Sequence, residues 1–207
     1  MNINKEFIEV NCTKECIHQN TCCKVSTEVI RHKELIYDDI DLFIFGMGAG
    51  KDEAKQGRCF IGRSGQYMRS IIKHIWDNEK LFNLAISNNV RCHPQDSNGK
   101  DRAPTDAEIN TCIEHLNKDL RDLKPKVIIP VGKNAACTYF PSNIGKSMTS
   151  IRGIPVKALD YTFIPTWHPS FLTRSYGKFN PEANNKFDKE FIFDILKAVE
   201  IANASNS

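Results

Sequence analysis

DLFIFGMGAGKDEAKQGRCFIGRSGQ, residues 41–66, decides the fold class. It opens on DLFIFG (41–46), a short run of aromatic and β-branched residues that ends at a glycine, the pattern of a fully buried strand. Gly46, Gly48 and Gly50 follow, where the backbone can approach a ligand closely and adopt conformations that side chains resist. A glycine-rich turn after a strand invites a phosphate-binding reading, but the spacing excludes the common ones. A dinucleotide fingerprint needs G-x-G-x-x-G leading straight into a helix, whereas here the third glycine comes too early and GRCFIGRSG (57–65) intervenes. A Walker-type loop needs Ser or Thr after the lysine, and Lys51 is followed by Asp52.

Working outward, LAISNNV (84–90), VIIPVG (127–132) and FIPTWH (163–168) repeat the short apolar pattern, each bounded by glycine, proline or polar residues. Helical periods lie between them. Ser64 can cap a helix whose Tyr67, Met68, Ile71, Ile72, Ile75 and Trp76 form one stripe. Thr105 and Glu108 make a capping box for a helix carrying Ile109, Cys112, Ile113, Leu116, Leu120 and Leu123 inward, and Pro125 blocks its continuation. A last helix over about 186–202 turns Phe187, Phe191, Ile195 and Val199 inward. Strands alternating with helices predict one α/β domain over residues 1–207: a three-layer α/β/α sandwich around a central, mostly parallel, four-stranded sheet. Residues 93–104 and 173–186 read as polar loops. Ligands of such sheets bind beyond the carboxyl ends of the strands, which selects the loops starting at Gly46, Asn88, Gly132 and His168.

Composition narrows the function classes. The 207 residues are 41% hydrophobic and 26% charged, an ordinary folded balance, and the formal charge of +3 excludes a histone-like polycation. No run of about 18 apolar residues offers a membrane span, and MNINKEFIEVNCTKEC (1–16) lacks the apolar core of a secretory signal. The expectation is a cytoplasmic, reducing compartment with no membrane partner. The eight cysteines, at 12, 16, 22, 23, 59, 92, 112 and 137, then point to a metal or iron–sulfur site rather than a disulfide framework. The alternative is a set of small buried hydrophobes, the usual state of free cysteine.

The 46–66 segment resembles motif 1 of the family 4 uracil-DNA glycosylases, the iron–sulfur type, whose pattern is close to GEGPG-x-x-E-D-x-x-GRPFVGRAGQ. Further likenesses follow in order: SNNVRCHP (87–94) to TNVVKCRPP, DRAPTDAEINTC (101–112) to NR-x-PT-x-EE-x-x-xC, LKPKVIIPVGKNAA (123–136) to a helix–strand–glycine segment, SIRG (150–153) to KVRG, PTWHPSFLTR (165–174) to TFHPSYLLR, and NCTKEC (11–16) to a C-x-x-C opening. The resemblance spans about residues 10–200. It implies an enzyme that flips a uridine out of the stack into a closed pocket and hydrolyses its N-glycosidic bond.

The resemblance also assigns roles. Phe60 would stack on the flipped uracil, and Gly48 would supply a backbone group at the pocket floor. Asn88 would pair with the uracil edge, its amide offering the donor and acceptor that O4 and N3–H require and that cytosine opposes. Adjacent Asn89 is the other candidate by register, with the spacing to Cys92 favouring Asn88. His168 would donate to uracil O2 as charge leaves on the base. Arg174 would contact phosphate or support insertion into the duplex. A structural [4Fe–4S] cluster is implied on Cys92, Cys112 and two N-terminal cysteines. Cys12 and Cys16 are the preferred pair although their spacing is one residue longer than the family's, and Cys22 and Cys23 are rivals. The implied partner is uracil-containing DNA, bound by a monomer.

The chain also departs from the pattern. Ala49 and Cys59 replace prolines, and Met47 replaces the family Glu, a carboxylate that positions water or stabilises the cationic sugar. Glu53, with Asp52 beside it, is the carboxylate left in the segment and the remaining catalytic candidate. The reading is therefore a DNA glycosylase weakened at Met47. The competing readings are an iron–sulfur DNA-binding protein without catalysis, and a zinc-stabilised nucleotide-binding module.

Overall fold

A computed structural model describes residues 2–10, 12, 25–176, 179–183 and 185–204. Its strands are β1 (Ile3–Ile8), β2 (Thr27–His32), β3 (Leu42–Gly48), β4 (Leu84–Val90), β5 (Val127–Pro130), β6 (Val156–Ala158) and β7 (Tyr161–Phe163). Its helices are α1 (Lys51–Gln56), α2 (Arg63–Asn78), α3 (Asp106–Leu123), α4 (Lys133–Tyr139), α5 (Met148–Ile151), α6 (Pro169–Tyr176) and α7 (Lys186–Ala204). The strands form one sheet in the order β1-β2-β4-β3-β5-β7-β6. The four inner strands β4, β3, β5 and β7 run parallel. β1 and β2 add antiparallel at one edge and β6 at the other.

The α/β/α class and the parallel centre match the sequence expectation, but the described residues form a sheet of seven strands rather than four. The extra three are the antiparallel edges. β1 exposes most of its residues, so it carries no apolar run. In β2 the polar Thr27 and Glu28 are buried because each meets a partner, a contact that local pattern does not show. FIPTWH is only partly strand. β7 ends at Phe163, and Pro165, which has no N–H for the ladder, precedes a single parallel bridge between Val131 and Thr166.

Alternation along β3 explains the layers. Leu42 and Ile44 join Tyr67, Ile71 and Ile75 of α2 and Phe191, Ile195 and Val199 of α7 in one core. Phe43 and Phe45 face the other side, with Leu116 and Leu120 of α3 and Ala135 of α4. Both faces are therefore dry, as a parallel sheet requires. The α3 capping box forms as expected, with Glu108 accepting the Thr105 amide at 2.6 Å. The α2 cap does not. Its N-cap is Gly62 with no side-chain cap, so Ser64 lies inside the first turn. Residues 173–176, expected as loop, instead complete α6.

Candidate active site

The carboxyl ends of β3, β4 and β5 and the segment after β7 surround an open cleft of about 800 Å³. Met47, Gly48, Gly132, His168 and Arg174 line it, with Arg102 and Pro104 from the 93–104 loop opposite. That loop is fastened by Arg102, which forms a two-pronged ion pair with the buried Glu108 carboxylate at 2.7 Å per contact. The expected loop ends thus assemble at one place.

Gly46 shows how tightly the site is built. Asn88 lies opposite it in the parallel register of β3 and β4. A Cβ on Gly46 would sit 2.7 Å from Asn88 Oδ1 and 2.8 Å from Phe60 Cζ. The Asn88 amide and the Phe60 ring therefore converge over one glycine, although they stand far apart in the chain. Both are nearly buried, at 3% and 5% exposure. Phe60 has φ of +51°, rare for a bulky residue and worth of order 1–3 kcal/mol of strain. α2 presses on it through Gly65, whose Cβ would be 2.1 Å from the Phe60 carbonyl carbon.

Glu53 is not among the cleft-lining residues. Its Oε1 accepts the amides of Ile61 (3.1 Å) and Gly62 (2.9 Å), supplying the acceptor that the α2 N-terminus lacks from its own cap. Met47 does line the cleft, and the Asn89 amide nitrogen approaches its sulfur at 3.9 Å. Asn89 therefore faces the α4 side of the sheet, where it also meets Thr138, while Asn88 faces Phe60.

His168 packs against Gly132, whose φ is +87° and whose Cβ would lie 2.8 Å from His168 Cβ. The Ser170 amide donates to His168 Nδ1 at 3.1 Å, and Ser170 Oγ lies 2.7 Å from the same nitrogen. Nδ1 thus carries the lone pair, and the neutral ring bears its proton on Nε2. Burial, and then the charge of Arg174, push the imidazole down to about 4, so the ring is neutral at physiological pH. The segment beneath it is held from below. Thr166 donates to Asp194 at 2.6 Å, Arg152 grips the same carboxylate at 2.5 and 3.0 Å, and Trp167 donates to Glu190 at 2.8 Å. Arg174 is exposed at the cleft mouth, its Nε donating to the Ser170 carbonyl at 3.3 Å.

Of the expected cluster ligands, Cys92 and Cys112 share one small buried group with Val90 and Ile109. Cys12 is half-buried, and Cys16, Cys22 and Cys23 lie outside the described residues. Among the described residues no three His, Cys, Asp or Glu side chains are grouped to hold a metal. Val25, the first described residue after the N-terminal cysteines, donates its amide to the Arg91 carbonyl at 3.2 Å, one residue before Cys92. Arg91 is itself buried and paired with Asp119 at 2.5 Å. A pair of buried thiols in an apolar shell fits the donor chemistry of an iron–sulfur cluster. Neither Ser170, which sets the histidine tautomer, nor the amide-accepting role of Glu53 stands out in the sequence; the signal for Ser170 is its place two residues after His168.

The family model of the uracil DNA glycosylase superfamily matches residues 34–192. A type-4 uracil-DNA glycosylase of Thermotoga maritima is 31% identical over 161 residues, covering 77% of each chain. One from Sulfurisphaera tokodaii is 26% identical over 162 residues, 75% of this chain and 69% of its own. A third, from Saccharolobus solfataricus, is 24% identical over 160 residues, 73% and 68% respectively. The chain belongs to the uracil DNA glycosylase superfamily, and within it to the type-4 uracil-DNA glycosylases.

Proposed function

We propose that this protein removes uracil from DNA by hydrolysing the N-glycosidic bond of a flipped-out uridine, as the first step of base-excision repair. The observation that carries the reading is the meeting of the Phe60 ring and the Asn88 amide over Gly46, beside the cleft that holds His168. Phe60 offers a stacking face. Asn88 offers one donor for O4 and one acceptor for N3–H, a pairing that cytosine cannot satisfy. The His168 tautomer puts an N–H on Nε2 for uracil O2. When the C1′–N1 bond breaks, its electron pair leaves with the base, and a neutral donor at O2 stabilises that developing anion without being consumed. Water adds its oxygen to C1′ and gives up a proton, and the uracil anion takes one, leaving an abasic site. Gly48 exposes backbone at the cleft floor, and Arg174 at its mouth suits a phosphate. Glu53, the remaining catalytic candidate by sequence, acts in this reading on the Phe60 loop through its two amide contacts.

Cys92 and Cys112, with two of the N-terminal cysteines, would hold a [4Fe–4S] cluster. Bound there it supplies no chemistry to the hydrolysis and ties the N-terminal segment to the 92–112 region. The working form is a monomer on uracil-containing DNA. Met47 on the cleft wall favours a second reading, a binding protein with little or no catalysis, because a thioether neither activates water nor stabilises a cationic sugar.

The deciding experiment incubates the purified protein with a uracil-containing oligonucleotide and then with alkali, with His168→Ala alongside. Breakage at the uracil that is lost in the variant supports the enzyme. An intact strand despite tight binding supports the second reading.

A further inference from the structure

Phe60 is clamped by a charge network outside the cleft. Arg69 on α2 donates from Nε to the Phe60 carbonyl at 2.9 Å and from Nη2 to the Cys59 carbonyl at 2.8 Å. The same Nη2 meets Glu28 Oε2 at 2.6 Å. Glu28 lies on β2 with no exposed surface, and its other oxygen faces Lys5 at 3.2 Å and Arg58 at 3.6 Å. Burial alone would raise the Glu28 carboxyl, but Arg69 and Lys5 outweigh it and hold it below the ordinary carboxylate range. Glu28 is thus an ionised anchor within the sheet, and Arg69 carries its hold to two successive carbonyls of the Phe60 loop.

We propose that Arg69, anchored on Glu28, is a positioning residue that fixes the left-handed backbone of Phe60 and so presets the ring for the incoming base. The proposal rests on the reading of Phe60 as the stacking face. Three facts argue for it. The +51° φ of Phe60 needs its surroundings to hold it. Glu53 secures only the next two amides, at Ile61 and Gly62, so the carbonyl side depends on Arg69. A planar guanidinium can serve two carbonyls and a carboxylate at once, which an ammonium on a flexible stem does poorly. Loosening the clamp lets the loop relax and moves the ring from the Gly46–Asn88 edge. The rate should then fall, while DNA affinity, set by phosphate contacts elsewhere, should hold.

The test uses the full chain and a uracil-containing oligonucleotide with enzyme in excess. Arg69→Gln should slow excision about 10- to 100-fold, the scale of a sub-ångström to 1 Å misplacement, with the dissociation constant for DNA within about 3-fold. Arg69→Lys should recover only part of the loss. In a Phe60→Leu background the same substitution should add less than about 3-fold, because the two residues act as one unit. Arg69→Gln leaves Glu28 with fewer cations, so the charge-balanced Glu28→Gln/Arg69→Gln pair is measured beside it. Hydrogen exchange at the amides of residues 60–62 should quicken at least about 10-fold in both, with β4 amides unchanged. Additive losses in the Phe60→Leu background, or unchanged exchange at 60–62, overturn the proposal. If the wild-type protein releases no uracil, the proposed function fails, and the exchange comparison alone decides whether the clamp exists.

Discussion

Replacing Gly46 by Ala adds a single methyl group at the point where the site converges. Gly46 is a strand residue outside the left-handed region, so the backbone accepts Ala without strain. The methyl carbon, however, would stand 2.7 Å from Asn88 Oδ1 and 2.8 Å from Phe60 Cζ. Carbon contacts are optimal near 3.5–4.0 Å, so the ring must retreat by roughly 0.7–1.2 Å and the amide by a similar amount. A displacement of that size in a positioned group costs about 100-fold in rate. Stability should fall by at most about 2.5 kcal/mol, because overpacking of about 1–3 kcal/mol is partly offset by the roughly 0.5–1 kcal/mol that Ala gains over Gly in a strand. The assay is single-turnover excision with a melting curve for each protein. A Gly46→Ala protein that folds and excises at the wild-type rate would refute the geometry.

Three further outcomes are expected. His168 is neutral down to about 4, and protonating Nδ1 would set it against the Ser170 amide that orients the ring, so excision should be flat from about pH 8 to 5 and fall only as pH drops through about 4; a loss centred near 6.5 would contradict this. Because burial lowers the folded value below the unfolded one, the same group contributes stability that is full above about 6.5 and declines as pH falls toward 4, which acid melting curves can read. Met47→Glu, returning a carboxylate to the cleft wall, should raise uracil release by about 10- to 100-fold, and an unchanged or lower rate would sink the idea that Met47 limits the enzyme. The proposed cluster should give absorbance near 400 nm, and Cys112→Ser should remove it and lower the melting temperature; absorbance retained in full would exclude Cys112 as a ligand.

The parallel centre of the fold was legible because β3 and β5 bury both faces and read as apolar runs, and β4 opens on one at Leu84–Ile86. β1 was not, since most of its residues are exposed, and β2 was not, since its buried polar residues are compensated by partners distant in sequence, Arg69 for Glu28 and Asp119 for Thr27. The motifs named Phe60, Asn88 and His168, but linear spacing carries no information on which of them meet. That Asn88 and Phe60 close on Gly46 follows from the register of β3 with β4 and from the turn of the chain at residue 60. The use of Glu53 was hidden for a similar reason, because a carboxylate in a glycine-rich segment looks the same in sequence whether it faces a sugar or two backbone amides.

The most direct measurement is identification of the base set free from matched duplexes that differ only in carrying uracil or cytosine at one position. Free uracil should be released, cytosine should not, and Asn88→Ala should abolish the release while the protein stays folded. Intact uracil strands, or release of both bases at equal rates, would contradict the proposed function.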